Sequence, residues 1–155
     1  MNRAIVIGIG NPYRGDDGAG LAVAARIHQA CPPGVAAVQM GGELVSLLDT
    51  WDGVPAVYLA DAVCSGGTPG TVYRFDAAAG LPSAPFRNRG THTFSVADTV
   101  ELARALGRLP ARLVGYGIEG ASFAAGTALS AEVVAAVDEV AQRLLAELRA
   151  AGGGP

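Results

Sequence analysis

The chain has 155 residues, half of them hydrophobic and 16% charged, with a formal net charge of −3. That length suits one domain able to bury a sizeable core, the apolar share excludes a disordered polymer, and the negative balance argues against nucleic acid as a partner. The longest stretch free of Asp, Glu and Arg, Ile27 to Gly42, is 16 residues with two prolines, short of the ~20 apolar residues of a membrane span.

Ala4-Ile-Val-Ile-Gly-Ile9 is a short run rich in β-branched residues and reads as a buried strand. Gly10 to Asp17 reads as a loop, and Gly18 to Ala30 as a helix with Leu21, Ala24, Ala25 and His28 along one stripe, ended by Cys31-Pro-Pro-Gly34. Val35 to Met40 is expected as a second strand, Glu43 to Asp49 as a short helix, and Val54 to Ala60 as a third strand ending at Asp61. Thr71 to Phe75 alternates as an edge strand does, and Ala77 to Thr93 reads as a long irregular connection. Ser95-Val-Ala-Asp98 resembles a capping box opening a helix to Leu106. A strand over Leu113 to Ile118 follows, then a last helix capped by Ser130, whose Val133, Val137, Val140, Ala141, Leu144 and Leu148 make an apolar stripe.

Strands alternating with helices give an α/β layer fold with a largely parallel sheet. A single domain over 1–150 with a flexible tail at 151–155 is expected. Ligands in such sheets sit beyond the carboxyl ends of the strands, so the strand-to-loop junctions are where chemistry is sought.

The nitrogen and sulfur inventory is thin: two His, two Cys and no lysine, all eleven basic residues being arginine. Two distant cysteines suit neither a disulfide framework nor a paired-CxxC zinc site, and no basic-then-apolar leader opens the chain. A reducing cytoplasm is the expected compartment. Cys31 and Cys64 are expected as small buried hydrophobes, and His28 as a structural residue.

The first junction, Gly8-Ile-Gly-Asn-Pro-Tyr-Arg-Gly-Asp-Asp-Gly18, is not a dinucleotide fingerprint. Tyr13 stands where its third glycine should, and two carboxylates would repel a pyrophosphate. One of Asp16 and Asp17 suffices to cap the next helix, which leaves a carboxylate over. With Asp61 at the third junction and His92 in the long connection, two carboxylates and an imidazole from three loops can converge on one rim. Such a set leaves coordination positions open and suits nickel or zinc. A Cys64–His92 nucleophile pair is the competing arrangement.

These residues, taken in order with Asp61-Ala-Val63, Thr91-His92, Gly117-Ile-Glu119 and Gly126-Thr-Ala-Leu-Ser-Ala-Glu-Val133, resemble the nickel–iron hydrogenase maturation endopeptidases. The resemblance runs from about Val6 to the last helix. It implies a three-layer α/β fold, a mostly parallel twisted five-stranded sheet with helices on both faces, and removal of a C-terminal extension from the hydrogenase large-subunit precursor after nickel insertion. By position it implies Asp17, Asp61 and His92 as metal-binding and catalytic residues. The nickel would belong to the substrate, so no tightly bound cofactor is expected, and no HExxH array is present to hold a catalytic zinc. Gly41 and Gly42 would let the substrate backbone approach closely. The precursor is the expected partner, with no membrane and no nucleic acid, and the protein is expected to be a monomer. A nickel-sensing chaperone that cuts nothing is the alternative the same residues allow.

Overall fold

The computed structural model describes residues 2–41, 43–80, 82–87 and 95–152. Five strands form one sheet: β1 (Ala4–Ile9), β2 (Val35–Met40), β3 (Ala56–Val63), β4 (Val72–Asp76) and β5 (Arg112–Glu119). Their order is β2-β1-β3-β5-β4, all parallel except the β4–β5 pair. The antiparallel edge follows from the chain: a short turn joins β3 to β4, too short for the crossover that a parallel neighbour needs.

Helices α1 (Ala19–Ala30) and α4 (Ala131–Gly152) cover one face, and α2 (Leu44–Trp51) and α3 (Val96–Ala105) the other. Two cores result. Val6, Tyr58, Val114, Tyr116 and Ile118 point from the strands to Val23 and Ile27 of α1 and to Val137, Val140 and Leu144 of α4. Ile5, Ile7, Val57, Leu59 and Leu113 point the other way, to Leu47, Leu48 and Trp51 of α2 and to Val100 and Ala103 of α3. The continuous apolar runs of the central strands thus reflect burial on both faces, as a parallel sheet requires. Ser95 opens α3 with a full capping box shared with Asp98, as the spacing predicts. No helix among the described residues is long and apolar enough to cross a membrane.

The structure corrects the sequence reading at four places. β3 runs on through Asp61 to Val63, so Asp61 lies within the strand instead of after it. Hydrophobicity falls away at Ala60, but backbone pairing does not: Asp61, Ala62 and Val63 stay in register with Gly117, Ile118 and Glu119 of β5. Both cysteines are exposed. Cys31 ends α1 in the left-handed conformation, φ 48°, and Cys64 stands in the turn beyond β3, so neither points into a core. His28 and Ala25 are exposed too, on the outer side of α1. Finally, α4 continues through Ala151 and Gly152, where a tail was expected. Arg3 clasps this last turn, donating from its guanidinium to the Leu148 carbonyl at 3.0 Å and to the Pro33 carbonyl at 3.1 Å.

Helix α1 approaches the sheet closely, and two glycines permit it. A Cβ on Gly20 would stand 2.2 Å from the Ala60 carbonyl oxygen and 2.5 Å from that of Ile9; one on Gly8 would stand 2.2 Å from the Gly20 carbonyl oxygen. This contact presses the start of α1 against the carboxyl ends of β1 and β3. Gly20→Ala forces backbone against backbone and should cost about 1–3 kcal/mol by overpacking, read as a lower urea midpoint with an unchanged slope.

Candidate active site

The loop after β1 ends in a 3-10 turn, Gly15–Gly18, that holds both aspartates and packs against β3. Gly15 makes the turn possible by taking φ 56°, a left-handed value that glycine adopts without penalty. Neither aspartate caps α1, whose first turn has no side-chain cap; the two carboxylates turn to different partners.

Asp16 is fully buried. Its Oδ2 accepts from the amides of Ala121 at 2.7 Å and Ser122 at 3.0 Å and from the Ser130 hydroxyl at 2.7 Å, while Oδ1 accepts from the Ser130 amide at 2.7 Å. Its own amide donates to the Ser122 carbonyl at 2.9 Å. Asp16 therefore ties the β1 loop to the β5–α4 loop and the start of α4, and the Ser130 hydroxyl expected to cap α4 donates to this carboxylate. Burial by itself would raise the Asp16 carboxyl, but the hydrogen bonds from Ser130, Ser122 and Ala121 outweigh it and hold the group below its ordinary 3.8. Asp17, also buried, accepts from the Asn11 amide at 2.9 Å, and Asn11 in turn accepts from the Tyr13 amide at 2.9 Å in an Asx turn.

Asp61 reaches the same carboxyl edge from β3. The β1–β3 register pairs Gly8 with Ala60, so Asp61 lies alongside the last residue of β1, with the turn carrying Asp17 packed on its strand. Gly41, exposed and just past Met40, stands at that edge from β2. His92 and Gly42 lie outside the described residues. Among the described residues no cluster of three His, Cys, Asp or Glu side chains forms a metal site by itself.

Sequence reasoning gave Glu119 no role beyond its place in a motif. It is a buried carboxylate at the end of β5. It accepts from the Ser65 amide at 2.8 Å and the Tyr73 hydroxyl at 2.9 Å, and also from the Ser65 hydroxyl and the Gly67 amide. The chain just beyond Asp61 is wrapped around this carboxylate so tightly that a Cβ on Gly67 would stand 2.4 Å from the Tyr73 hydroxyl and 3.0 Å from Glu119 Oε1. Burial works to raise the Glu119 carboxyl, and the bonds from Ser65, Tyr73 and Gly67 prevail and lower it from 4.5. The signal available in the sequence was a charged residue closing an apolar strand, where a carboxylate must be paired if buried.

The arrangement divides the carboxylates by task. Asp16 and Glu119 are acceptors saturated by the protein, one anchoring the β5–α4 loop and the other the β3–β4 turn. Asp17 and Asp61 stand between these anchors at the sheet edge.

Comparisons with known proteins place the chain. The family model described as HycI, hydrogenase maturation protease, matches residues 22–147. An endopeptidase from Escherichia coli, solved in solution, is 27% identical with a TM-score of 0.83 over 97% of this chain and 94% of its own. The hydrogenase maturating endopeptidase HybD from E. coli is 25% identical with a TM-score of 0.75 over the same shares. The [NiFe] hydrogenase maturation protease HybD from Thermococcus kodakarensis, 24% identical with a TM-score of 0.68 over 94% of this chain and 98% of its own, shares the fold. No curated protein sequence matches the chain.

Two measurements separate anchor from edge. Asp16→Asn places an amide donor among four donors and should cost about 2 kcal/mol or more, against about 1 kcal/mol for Asp17→Asn, in urea unfolding. The Asp16 and Glu119 carboxyls sit below their ordinary values when folded, so the stability they confer is complete above the unfolded-state range and drains as pH falls below about 4. Asp16→Asn and Glu119→Gln should each flatten the acid limb of a stability–pH curve.

Proposed function

The chain belongs to the hydrogenase maturation protease family, and from that premise we propose that it removes the C-terminal extension of a nickel–iron hydrogenase large-subunit precursor after nickel insertion, reading the nickel that the precursor carries. The observation that carries this reading is the contrast between the two adjacent aspartates. Asp16 faces away to four donors of the β5–α4 loop and the start of α4, whereas Asp17 sits beside it in the turn packed on the strand of Asp61.

In this mechanism Asp17, Asp61 and His92 approach the substrate's nickel at positions its own ligands leave open. Carboxylate and imidazole donors together suit such a borderline divalent ion. The docked metal holds the scissile peptide at the sheet edge and polarises its carbonyl or the attacking water. Water adds to the carbonyl carbon, the C–N bond breaks, and the extension leaves as an amine after protonation. Gly41 and Gly42 let the substrate backbone pass close to the end of β2, since a side chain there would stand in its path. Recognition through substrate-borne metal also accounts for the thin donor inventory: the protein needs no cofactor of its own. It works as a monomer in the cytoplasm on a folded protein partner.

The direct test is the mass of the large subunit before and after incubation with the protein, using nickel-loaded and nickel-free precursor side by side. The nickel-loaded form alone should lose its extension; an unchanged mass overturns the hydrolytic reading. Asp17→Asn, Asp61→Asn and His92→Ala should each lower cleavage by at least about a hundredfold while keeping the wild-type circular dichroism spectrum. Cys64→Ser should cleave at the wild-type rate, and a folded, inactive Cys64→Ser protein would assign the chemistry to the thiol.

A further inference from the structure

β2 is an edge strand with an uncommon absence of protection. Among the described residues it pairs with β1 alone, and its sequence, Val-Ala-Ala-Val-Gln-Met, contains no charge and no proline. Natural sheets guard a free edge with charges, prolines or bulges because its unpaired amides and carbonyls recruit other strands. The opposite edge obeys that rule: β4 holds Arg74, paired with Glu147 of α4 at 2.6 Å, and Asp76.

The backbone direction of β2 is set by its pairing. The Met40 carbonyl accepts from the Gly10 amide at 3.0 Å, and the Gly34 carbonyl accepts from Arg3 and Ala4, so the even-numbered residues face β1. By alternation the peptide groups of Ala37 and Gln39 face outward. The Val35 amide is taken by the Pro32 carbonyl at 3.3 Å, which leaves 37 and 39 as the outward pairing positions of β2 among the described residues. The same two residues line a cavity of about 360 Å³ whose other wall is Ala24, Ala25, His28 and Gln29 of α1. The Gln39 carboxamide donates to the Leu21 carbonyl at 2.9 Å, which holds that wall in place. Open backbone positions beside a side-chain pocket are what recognition by strand addition requires: main-chain bonds supply affinity and the pocket supplies selectivity.

We infer that the outer edge of β2 binds an extended segment of the substrate polypeptide as a sixth strand, with one of its side chains in the cavity between β2 and α1. This rests on the proposed proteolytic reading and adds the surface that holds the substrate. The occupant is assigned to the substrate because β2 leads into the site. Its last residue is bonded to Gly10, which opens the loop carrying Asp17, and Gly41 follows directly. A strand added here is separated from β3 by β2 and β1, its end reaches the same carboxyl edge at which Asp61 stands, and its main-chain pairing does not depend on one particular sequence. The cavity, walled by three alanines with His28, Gln29 and Gln39, takes a side chain with an apolar stem and a hydrogen-bonding end.

Ala37→Pro tests this, because it deletes an outward amide and leaves the β1 ladder its bonds, as edge strands tolerate. Ala25→Trp is an independent variant on the exposed side of α1 that fills the cavity. With nickel-loaded precursor, each should raise KM and the directly measured Kd roughly tenfold with kcat unchanged, since a lost peptide hydrogen bond and a blocked pocket weaken binding without touching the reacting groups. Unchanged KM and Kd in folded variants overturn the inference, as does a wild-type dimer in sedimentation that Ala37→Pro converts to monomer, which would give the edge to a second copy. Should Ala37→Pro fail to fold, Ala25→Trp decides alone. If the wild-type protein binds the precursor without cutting it, and both variants weaken that binding, the docking edge stands and the hydrolytic reading falls. If the wild-type protein cuts and both variants bind and cut as it does, the reverse holds.

Discussion

The carboxylate of Asp16 is the point on which the site depends. It stands in the turn between β1 and α1, and its four donors come from Ala121, Ser122 and Ser130, more than a hundred residues along the chain. A fully buried carboxylate is tolerated only when its acceptor sites are filled. Filling them draws the β5–α4 loop and the start of α4 over the carboxyl ends of the central strands. The Gly8–Gly20 contact supplies the other half of the constraint. It brings α1 near enough to the sheet that the turn carrying Asp16 and Asp17 lies on β3.

Glu119 repeats the device on the far side of Asp61. A carboxylate closing β5 collects the amides and hydroxyls of the β3–β4 turn, so the chain on either side of Asp61 is held at β5 by the strand ladder and by Glu119. Two acceptors saturated by the protein thus frame two carboxylates at the sheet edge. This economy suits the proposed docking on a metal that the substrate carries. The protein must keep the approaching groups rigid, and hydrogen bonds to buried charge are among the stiffer ways to do so.

The other sheet edges show the same separation of tasks. β4 is bound to α4 through the cluster of Arg74, Arg112, Tyr116 and Glu147, in which burial tends to raise the Glu147 carboxyl and the bonds from Arg74 and Tyr116 pull it lower. That edge is closed. β2 is held by its ladder to β1 and by the Gln39–Leu21 bond, and its outward residues Ala37 and Gln39 line the cavity beside α1. One edge serves stability, and the other is the one inferred to hold the substrate.

Much of this was legible in the sequence. The apolar runs, the Cys31-Pro-Pro-Gly34 stop, the Ser95–Asp98 box and the stripe of α4 marked the elements, because local propensity and burial on both faces act over a few residues at a time. The opening motif, Asp61 and the family resemblance pointed to the carboxyl edge for the same reason: strand–loop junctions are local events. What the sequence alone did not determine is what each carboxylate touches. Asp16 and Asp17 are neighbours of identical chemistry, and only the arrival of Ser122 and Ser130 across the fold separates them. Asp61 reads as the end of a strand until Gly117 to Glu119 pair with it and extend the ladder. Glu119 gains its partners only when β4 and the turn after β3 close around it, and the openness of β2 exists only once the strand order is known. These contacts join residues distant in the chain, and their geometry is decided by the packing of helices on the sheet, which no local pattern encodes.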